Sequence, residues 1–425
     1  MIVNFPYSDT DSLEIPADCD IQIFDLPIHK FHITGSAAVE KAMLKPIESK
    51  RLFELAFGKK KILIVADDIS RPTPISKFVH FILDELAEAG VNESQIEFIL
   101  ALGTHIFMTR EEMIEKLGRD VVERYIVHNH DWKNKDSQEY VGDTEQGVPV
   151  WINKLIRNAD LVIGLGAIMP IEVCGFSGGG KIIVPGICGE ITNNEMHWKR
   201  IDSPSNQVLG KVENPIRASI DSMARKAGLD FIVNVILDGT GKIVGAVAGD
   251  MIAAHRSGCK IAAEVYSVNI PREFDIVIAD SFPFDVEFWQ ANKALDTAGE
   301  LVKKGGVVIL VTPCNKGFSQ THREILDFGY QPIEKIVELV KCGEIRHKVV
   351  GVHMVQVSTV AIEKAKLILV SSGITKIEAN KVGFLWEQTP QEAFRKAVEI
   401  SVRNPSIAIL KNASRMLPFV QKIKT

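Results

Sequence analysis

Lys181 follows three glycines in the stretch GFSGGGKIIVPG, residues 175–186. Gly175, Gly180 and Lys181 fit the spacing G-x-x-x-x-G-K, in which a glycine-rich turn cradles phosphate. The fit ends at Ile182, where a hydroxyl is needed to hold Mg²⁺. A phosphate loop must also run into a helix whose N-terminus faces the anion. Here β-branched residues and Pro185-Gly186 stop any helix at once. Four glycines still imply that the backbone approaches something closely. A lysine on such a loop among apolar neighbours is a candidate nucleophile, because desolvation lowers its pKa. A surface lysine is the plain alternative.

Other chemistry-bearing residues follow apolar runs. In ADDISRPTP (66–74), Asp68 and Arg71 lie three apart, on a segment stiffened by Pro72 and Pro74. Arg71 is suited to clamping a carboxylate through two parallel N–H bonds. A local Asp–Arg pair capping the next helix fits the stretch equally well. LGTH ends in His105, a candidate acid/base group or a structural histidine. HNHDW (128–132) carries His130 without a diagnostic pattern. Thr192 and Glu195 have capping-box spacing and predict a short helix that carries His197 and stops at Ser203-Pro204-Ser205. Lys181 and His197 then could face one pocket; a core histidine is the other reading. Further on, Gln290 and Lys293 share a helix face beside Trp289, offering an amide, an ammonium and an aromatic wall, or a solvated face beside a buried indole.

The elements that must position these residues alternate. Strands are expected within 59–67, 95–105, 160–168 and 229–238, and helices over 74–90, 109–125 and 250–268. A second series begins at DIVIADSF (275–282), continues with a helix over 286–304 and a strand over 305–313, and adds later pairs at 366–373 and 391–402. The class is α/β: two α/β domains with largely parallel sheets and an interdomain active-site cleft, with domains at 1–268 and 273–425. Ligands in such sheets gather at the carboxyl ends of strands. With 425 residues, two domains are the natural division. A net charge of −5 and no basic run argue against nucleic acid or anionic lipid as partners. No apolar run is long enough to span a bilayer, and no signal peptide is visible. Six scattered cysteines without a C-x-x-C suggest neither a disulfide framework nor a zinc knuckle. A cytoplasmic location is expected.

Taken in order, DDxSRP, GTH, GFSGGGKxxxPG, a histidine sixteen positions after the lysine (197 − 181), NPIR (214–217) and QxxK resemble the nickel-pincer lactate racemase family. The resemblance covers most of the chain, and the glycine loop is its most specific piece. It implies a pyridinium mononucleotide that carries nickel in a sulfur–carbon–sulfur pincer and is attached covalently to Lys181. His197 matches the family's nickel ligand and His105 its first acid/base histidine. Asp68, Arg71, Gln290 and Lys293 match the substrate-holding residues, with Trp289 beside them, while Ser177, Gly178, Gly179 and Gly180 match the loop against the cofactor. Cofactor-maturation enzymes are implied as partners. Square-planar nickel keeps one in-plane position for an imidazole. A 2-hydroxy acid gives up its C2 hydride, becomes a flat 2-oxo acid, and takes the hydride back on the other face, while a histidine handles the hydroxyl proton.

One position departs from the family. Its second acid/base histidine stands ten positions before the lysine, where this chain has Ile171 (181 − 10). Isoleucine carries no proton. Glu172, Cys174, His130 or His353 are the groups that could replace it. A 2-hydroxy acid larger than lactate, such as a sugar acid, is the expected substrate. Two other functions fit less well: an NAD-type oxidoreductase or epimerase, which lacks a clean G-x-G-x-x-G here, and a non-catalytic hydroxy-acid-binding protein.

Overall fold

Five short apolar stretches rich in Val, Ile and Leu are largely buried on both faces and, with the more exposed edge strand Ile126–Asn129, line up as a largely parallel sheet. In a computed structural model describing residues 1–7, 12–16, 19–28, 32–202 and 208–421, these form the first of two compact units, residues 28–200 and 207–265. The strand order is Ile243–Gly249, Phe231–Leu237, Leu161–Ala167, Ile62–Asp67, Ile96–Ala101, Ile126–Asn129. All pairs are parallel except the first, which is antiparallel. The chain lays down Ile62–Asp67, builds outward through Ile96–Ala101 to Ile126–Asn129, then returns to place Leu161–Ala167 on the other side. The order therefore reverses between Ile62–Asp67 and Leu161–Ala167. That reversal opens a crevice at the carboxyl ends of the two strands.

The second unit comprises residues 1–27, 201–206 and 266–425. Its sheet, parallel throughout, runs Leu385–Glu387, Lys366–Val370, Val302–Val311, Phe274–Asp280, Ile407–Leu410, Ile21–Phe24. Ile276, Ile278, Val307, Ile309, Ile368 and Ile409 are at most 4% exposed and make its core with Leu13 and Phe394. The expected boundary at 268–273 falls close to the observed one at 265/266. The first 27 residues, however, were expected in the N-terminal domain. They belong with the C-terminal unit, because Ile21–Phe24 pairs with Ile407–Leu410 at the sheet edge.

Local corrections have local causes. The helix expected over 109–125 is two, Arg110–Leu117 and Arg119–Arg124, broken where Gly118 takes φ +94°. The helix expected over 74–90 starts with a 3₁₀ turn, Ile75–Lys77, before Val79–Glu88. Among the described residues, no helix is long and apolar enough to cross a membrane.

One buried ion pair fixes the loop that leaves the central strand. Lys116 Nζ lies 2.6 Å from Asp67 Oδ1 and donates to the Arg71 carbonyl at 2.9 Å, while Thr73 Oγ1 donates to Asp67 Oδ2 at 2.5 Å. Burial pushes the Asp67 carboxyl upward and the Lys116 charge pulls it back. Replacing Lys116 with Met leaves that carboxylate buried without a counter-charge. Chemical denaturation of Lys116→Met should show a loss of about 3–5 kcal/mol.

Candidate active site

The crevice receives two loops. The first, after Ile62–Asp67, presents Asp68, Ser70 and Arg71; the second, after Leu161–Ala167, leads to Lys181. His105 arrives from the neighbouring strand Ile96–Ala101 through a tight turn, its N–H bonded to the Leu102 carbonyl.

His105 and Asp68 form a dyad. His105 Nδ1 lies 2.5 Å from Asp68 Oδ2. Asp68 Oδ1 accepts the Ser70 N–H at 2.9 Å and its hydroxyl at 2.5 Å. A carboxylate only accepts, so His105 Nδ1 carries the proton and Nε2 holds the lone pair. Burial opposes ionisation of Asp68, but the His105 ring, Arg71 and Ser70 outweigh it and hold the carboxyl well below the usual range. Asp68, expected to hold substrate, meets Ser70 through Oδ1 and His105 through Oδ2, so it orients the His105 ring. Arg71 N–H donates to the Asp68 carbonyl at 3.1 Å, a backbone turn rather than a helix cap, since Pro74 stands at the cap of Ile75–Lys77 without a side-chain bond.

The glycine loop is clamped by protein. Residues 170–171 and 175–176 make a two-strand hairpin that pairs Ile171 with Gly175. A 3₁₀ turn, Gly179–Ile182, follows in place of an α-helix. Arg217, on the helix Pro215–Ala227, is fully buried beneath it. Its guanidinium donates to the carbonyls of Phe176 and Gly178 and lies 3.2 Å from Cys174 Sγ. Gly179 N–H donates to Asn234 Oδ1 at 2.8 Å. A Cβ on Gly178 would come within 2.7 Å of Asn234 and Ile168, and one on Gly179 within 2.8 Å of the His255 ring. The close approach that the glycines imply is therefore to buried protein. Ser177 Oγ is likewise engaged, donating to the Ala167 carbonyl at 2.7 Å and accepting from Met169 N–H at 3.0 Å.

Lys181 projects from this clamped turn. Burial lowers its pKa, and Arg71 and Arg217 add to the effect, while Cys174 and Glu172 oppose it. No hydrogen bond or ion pair reaches its ammonium among the described residues.

His197 lies on the helix Glu190–Trp198. The expected capping box does not form: the helix begins at Glu190 with Gly189 at its cap. Thr192 sits inside it, its hydroxyl donating to the Pro149 carbonyl and accepting from Trp151 N–H. The expected stop at 203–205 lies outside the described residues. His197 Nδ1 is 2.7 Å from the Asn193 carbonyl, which fixes the proton on Nδ1 and leaves Nε2 as a lone-pair donor. Burial pushes its pKa down to about 4, with Lys181 and His105 lowering it and Glu172 opposing. His105, Lys181, His197 and Glu172 thus act on one another electrostatically within one unit, and Arg71 acts on Lys181. Asn193 Oδ1 is buried and accepts no hydrogen bond, one helical turn before His197.

Of the groups that could replace the missing histidine, His130 is excluded. Its Nε2 faces the Cys188 carbonyl at 2.9 Å and its Nδ1 faces Asn153 Nδ2 at 3.2 Å, so both nitrogens are structural. Cys174 Sγ is held by Arg217 and donates to the Phe176 carbonyl. Glu172 is buried and receives a bond from Arg200 only on its backbone carbonyl, at 2.7 Å.

In the second unit, Trp289, Gln290 and Lys293 lie on the first two turns of the helix Phe288–Leu301. Lys293 Nζ donates to Gln290 Oε1 at 2.5 Å and lies 4.9 Å above the Phe284 ring. Trp289 stacks on His353 at 4.4 Å and contacts His322 at 4.3 Å. His353 Nε2 is 3.0 Å from the Tyr330 hydroxyl. A cavity of about 1000 Å³ at the carboxyl end of this sheet is lined by Tyr7, Thr312, Ser371, Thr375 and Trp386, none of them a residue singled out by sequence. Lys116, Arg217, Ser70 and Asn193 escaped sequence reading. Arg217 left a trace as the last residue of NPIR, and Ser70 as the serine of DDxSRP.

Comparison with known proteins agrees over both units. Residues 7–208 match the family described as "Lactate racemase N-terminal domain", and residues 270–416 match "Lactate racemase C-terminal domain". The lactate racemase of Thermoanaerobacterium thermosaccharolyticum is 35% identical over 323 residues, 72% of this chain and 75% of that one. The lactate racemase of Lactiplantibacillus plantarum is 36% identical over 288 residues, covering 67% and 68% of the two chains. The solved structure of the T. thermosaccharolyticum lactate racemase apoprotein superposes with a TM-score of 0.87 at 29% identity, over 99% of this chain and all of that one. A Thermotoga maritima protein shares the fold, with a TM-score of 0.75 at 21% identity over 92% of this chain and all of its own.

The dyad makes a pH prediction. A carboxyl held low in the folded state stabilises it above the unfolded value of about 3.9 and loses that contribution as pH falls towards the folded value. The gap in urea midpoint between the unmodified chain and Asp68→Asn should therefore be widest near pH 5 and shrink steadily towards about pH 2.

Proposed function

The chain belongs to the lactate racemase family, and from that premise we propose that it inverts C2 of a 2-hydroxy acid with a nickel-pincer nucleotide held on Lys181. The observation that carries the reading is the pairing of His197 with Lys181. The half-buried His197 offers an Nε2 lone pair, fixed by its Nδ1 bond to the Asn193 carbonyl, and interacts electrostatically with the desolvated Lys181 amine. Imidazole suits nickel, and the unpaired Asn193 Oδ1 supplies a buried acceptor for a bound group. When bound, the cofactor supplies a hydride acceptor and donor for C2.

The protein supplies the rest. Lys181 Nζ and His197 Nε2 hold the group. The glycines and Ser177 seat the loop, with Arg217 beneath them, so that Lys181 stays in place. Arg71 holds the substrate carboxylate by its planar fork. His105 Nε2 takes the hydroxyl proton as the C2 hydride leaves, and the Asp68 carboxylate on Nδ1 stabilises the imidazolium that results. When the hydride returns to the face it left, the same ring gives the proton back.

Inversion needs a second proton carrier, and Ile171 cannot serve. We assign that role to Glu172, the adjacent residue, whose buried carboxylate acts on both Lys181 and His197. With isoleucine lining the loop, the substrate is a 2-hydroxy acid with a longer tail than lactate, a sugar acid included.

The test uses protein matured with the cofactor and 2-hydroxy acids deuterated at C2. The reading expects interconversion of enantiomers or epimers with the label kept, because the hydride returns to the carbon it left. His105→Ala and Glu172→Gln should each lower turnover by about 10²–10⁴-fold. Ile171→His should raise activity on lactate relative to the longer acids. Label lost wholly to solvent contradicts hydride return, and a fully active Glu172→Gln removes Glu172 from the mechanism.

A further inference from the structure

Three metal-binding side chains converge in the second unit, next to Trp289. His322, Glu324 and His347 each offer one donor atom, and these atoms lie within 4.8 Å of one another. His347 Nδ1 is already 2.7 Å from Glu324 Oε1. The two imidazole rings stand 6.1 Å apart at 59°, an open angle suited to two nitrogens turned towards one point.

The backbone holds all three donors. His347 caps the N-terminus of the helix Lys348–Ala361, and Glu324 caps the short helix Ile325–Phe328. His322 is 1% exposed, its N–H bonded to Ser319 Oγ at 3.2 Å and its ring against Trp289. Two segments thus deliver the set, 23 positions apart (347 − 324). The intervening Arg323 and the flanking Arg346 are exposed, so their charges lie in solvent rather than among the donors.

An ordinary His–Glu ion pair accounts for His347 and Glu324 but gives no reason for a third donor to converge on them. Two imidazoles and a carboxylate are the donors of zinc and related borderline ions. Mg²⁺ and Ca²⁺ prefer all-oxygen sets. Donors around a tetrahedral ion at about 2.0–2.2 Å stand roughly 3.3–3.5 Å apart. Rotations of these side chains by about 1 Å close the present spread to that value.

We propose that His322, Glu324 and His347 bind one divalent transition-metal ion, Zn²⁺ by preference, through a ligand set that shares no residue with Lys181 and His197. Three protein ligands leave a position for water or a carboxylate oxygen. The ion ties the loop before Ile325 to the start of the helix Lys348–Ala361 and fixes the His322 ring on Trp289.

The test titrates the chelator-treated full-length chain with CoCl₂ and follows the visible d–d absorption of bound Co²⁺, then displaces it with ZnCl₂. The expected result is one equivalent bound and displaced by Zn²⁺, with the same titration in His197→Ala. Second-shell changes cost metal sites about 10–100-fold, so removing a ligand in His347→Ala should weaken binding by at least about 100-fold. Glu324→Gln keeps the shape of the site, covers the case in which His347→Ala misfolds, and should weaken binding at least about tenfold. The proposal is overturned if no d–d band appears, if both variants bind as the unmodified chain does, or if the band is lost in His197→Ala alone.

Discussion

The buried guanidinium of Arg217 is the contact on which the site depends. The loop from Gly175 to Ile182 has no regular secondary structure long enough to hold it, and its carbonyls lie where water does not reach. Arg217 supplies donors to Phe176 and Gly178 and meets Cys174. A fully buried cation needs compensation, and Asp221 stands 3.6 Å away on the same helix, shared with Arg256 at 2.8 Å. Glycines let the loop descend onto this anchor, since a Cβ at Gly178 or Gly179 would strike Asn234 or His255. Lys181 is then presented from a fixed turn, and its desolvation follows from the depth at which the turn is held.

The sheet does the remaining placement. Its order reverses between Ile62–Asp67 and Leu161–Ala167, so the loop bearing Asp68 and Arg71 and the loop leading to Lys181 leave from adjacent strands. Each titratable group there has its protonation set by one named neighbour: Asp68 fixes the His105 tautomer, and the Asn193 carbonyl fixes that of His197. Under the proposed function, one histidine moves a proton and the other holds a metal. Two residues of one type receive different tasks from different acceptors.

Much of this was legible in the sequence, for identifiable reasons. Buried parallel strands announce themselves as unbroken apolar runs, and the residues directly after them are the ones that reach a crevice, so Asp68 and His105 were legible by position, and Lys181 by its glycine-rich loop. What stayed hidden was non-local. Nothing in ADDISRP says that Asp68 faces a histidine 37 positions away (105 − 68) rather than a substrate. Thr192 and Glu195 have capping-box spacing, yet Gly189 already ends the preceding chain and Thr192 is drawn to the Pro149–Trp151 strand. Gly118 split a helix because its φ is positive, a property the surrounding helical pattern masks. The placement of Ile21–Phe24 beside Ile407–Leu410 depends on a pairing across nearly the whole chain, which no local pattern encodes.

The central claim is that Lys181 is a covalent anchor presented by a clamped loop. Its most direct test is intact-mass spectrometry, with nickel analysis, of the chain and of Lys181→Ala, each co-produced with nickel-pincer maturation enzymes. The account predicts a single adduct on the unmodified chain, mapped to Lys181 by peptide digestion, with about one nickel per chain as one anchor lysine and one histidine ligand require, and neither in Lys181→Ala. An unmodified mass without nickel, or an adduct that persists in Lys181→Ala, would contradict it.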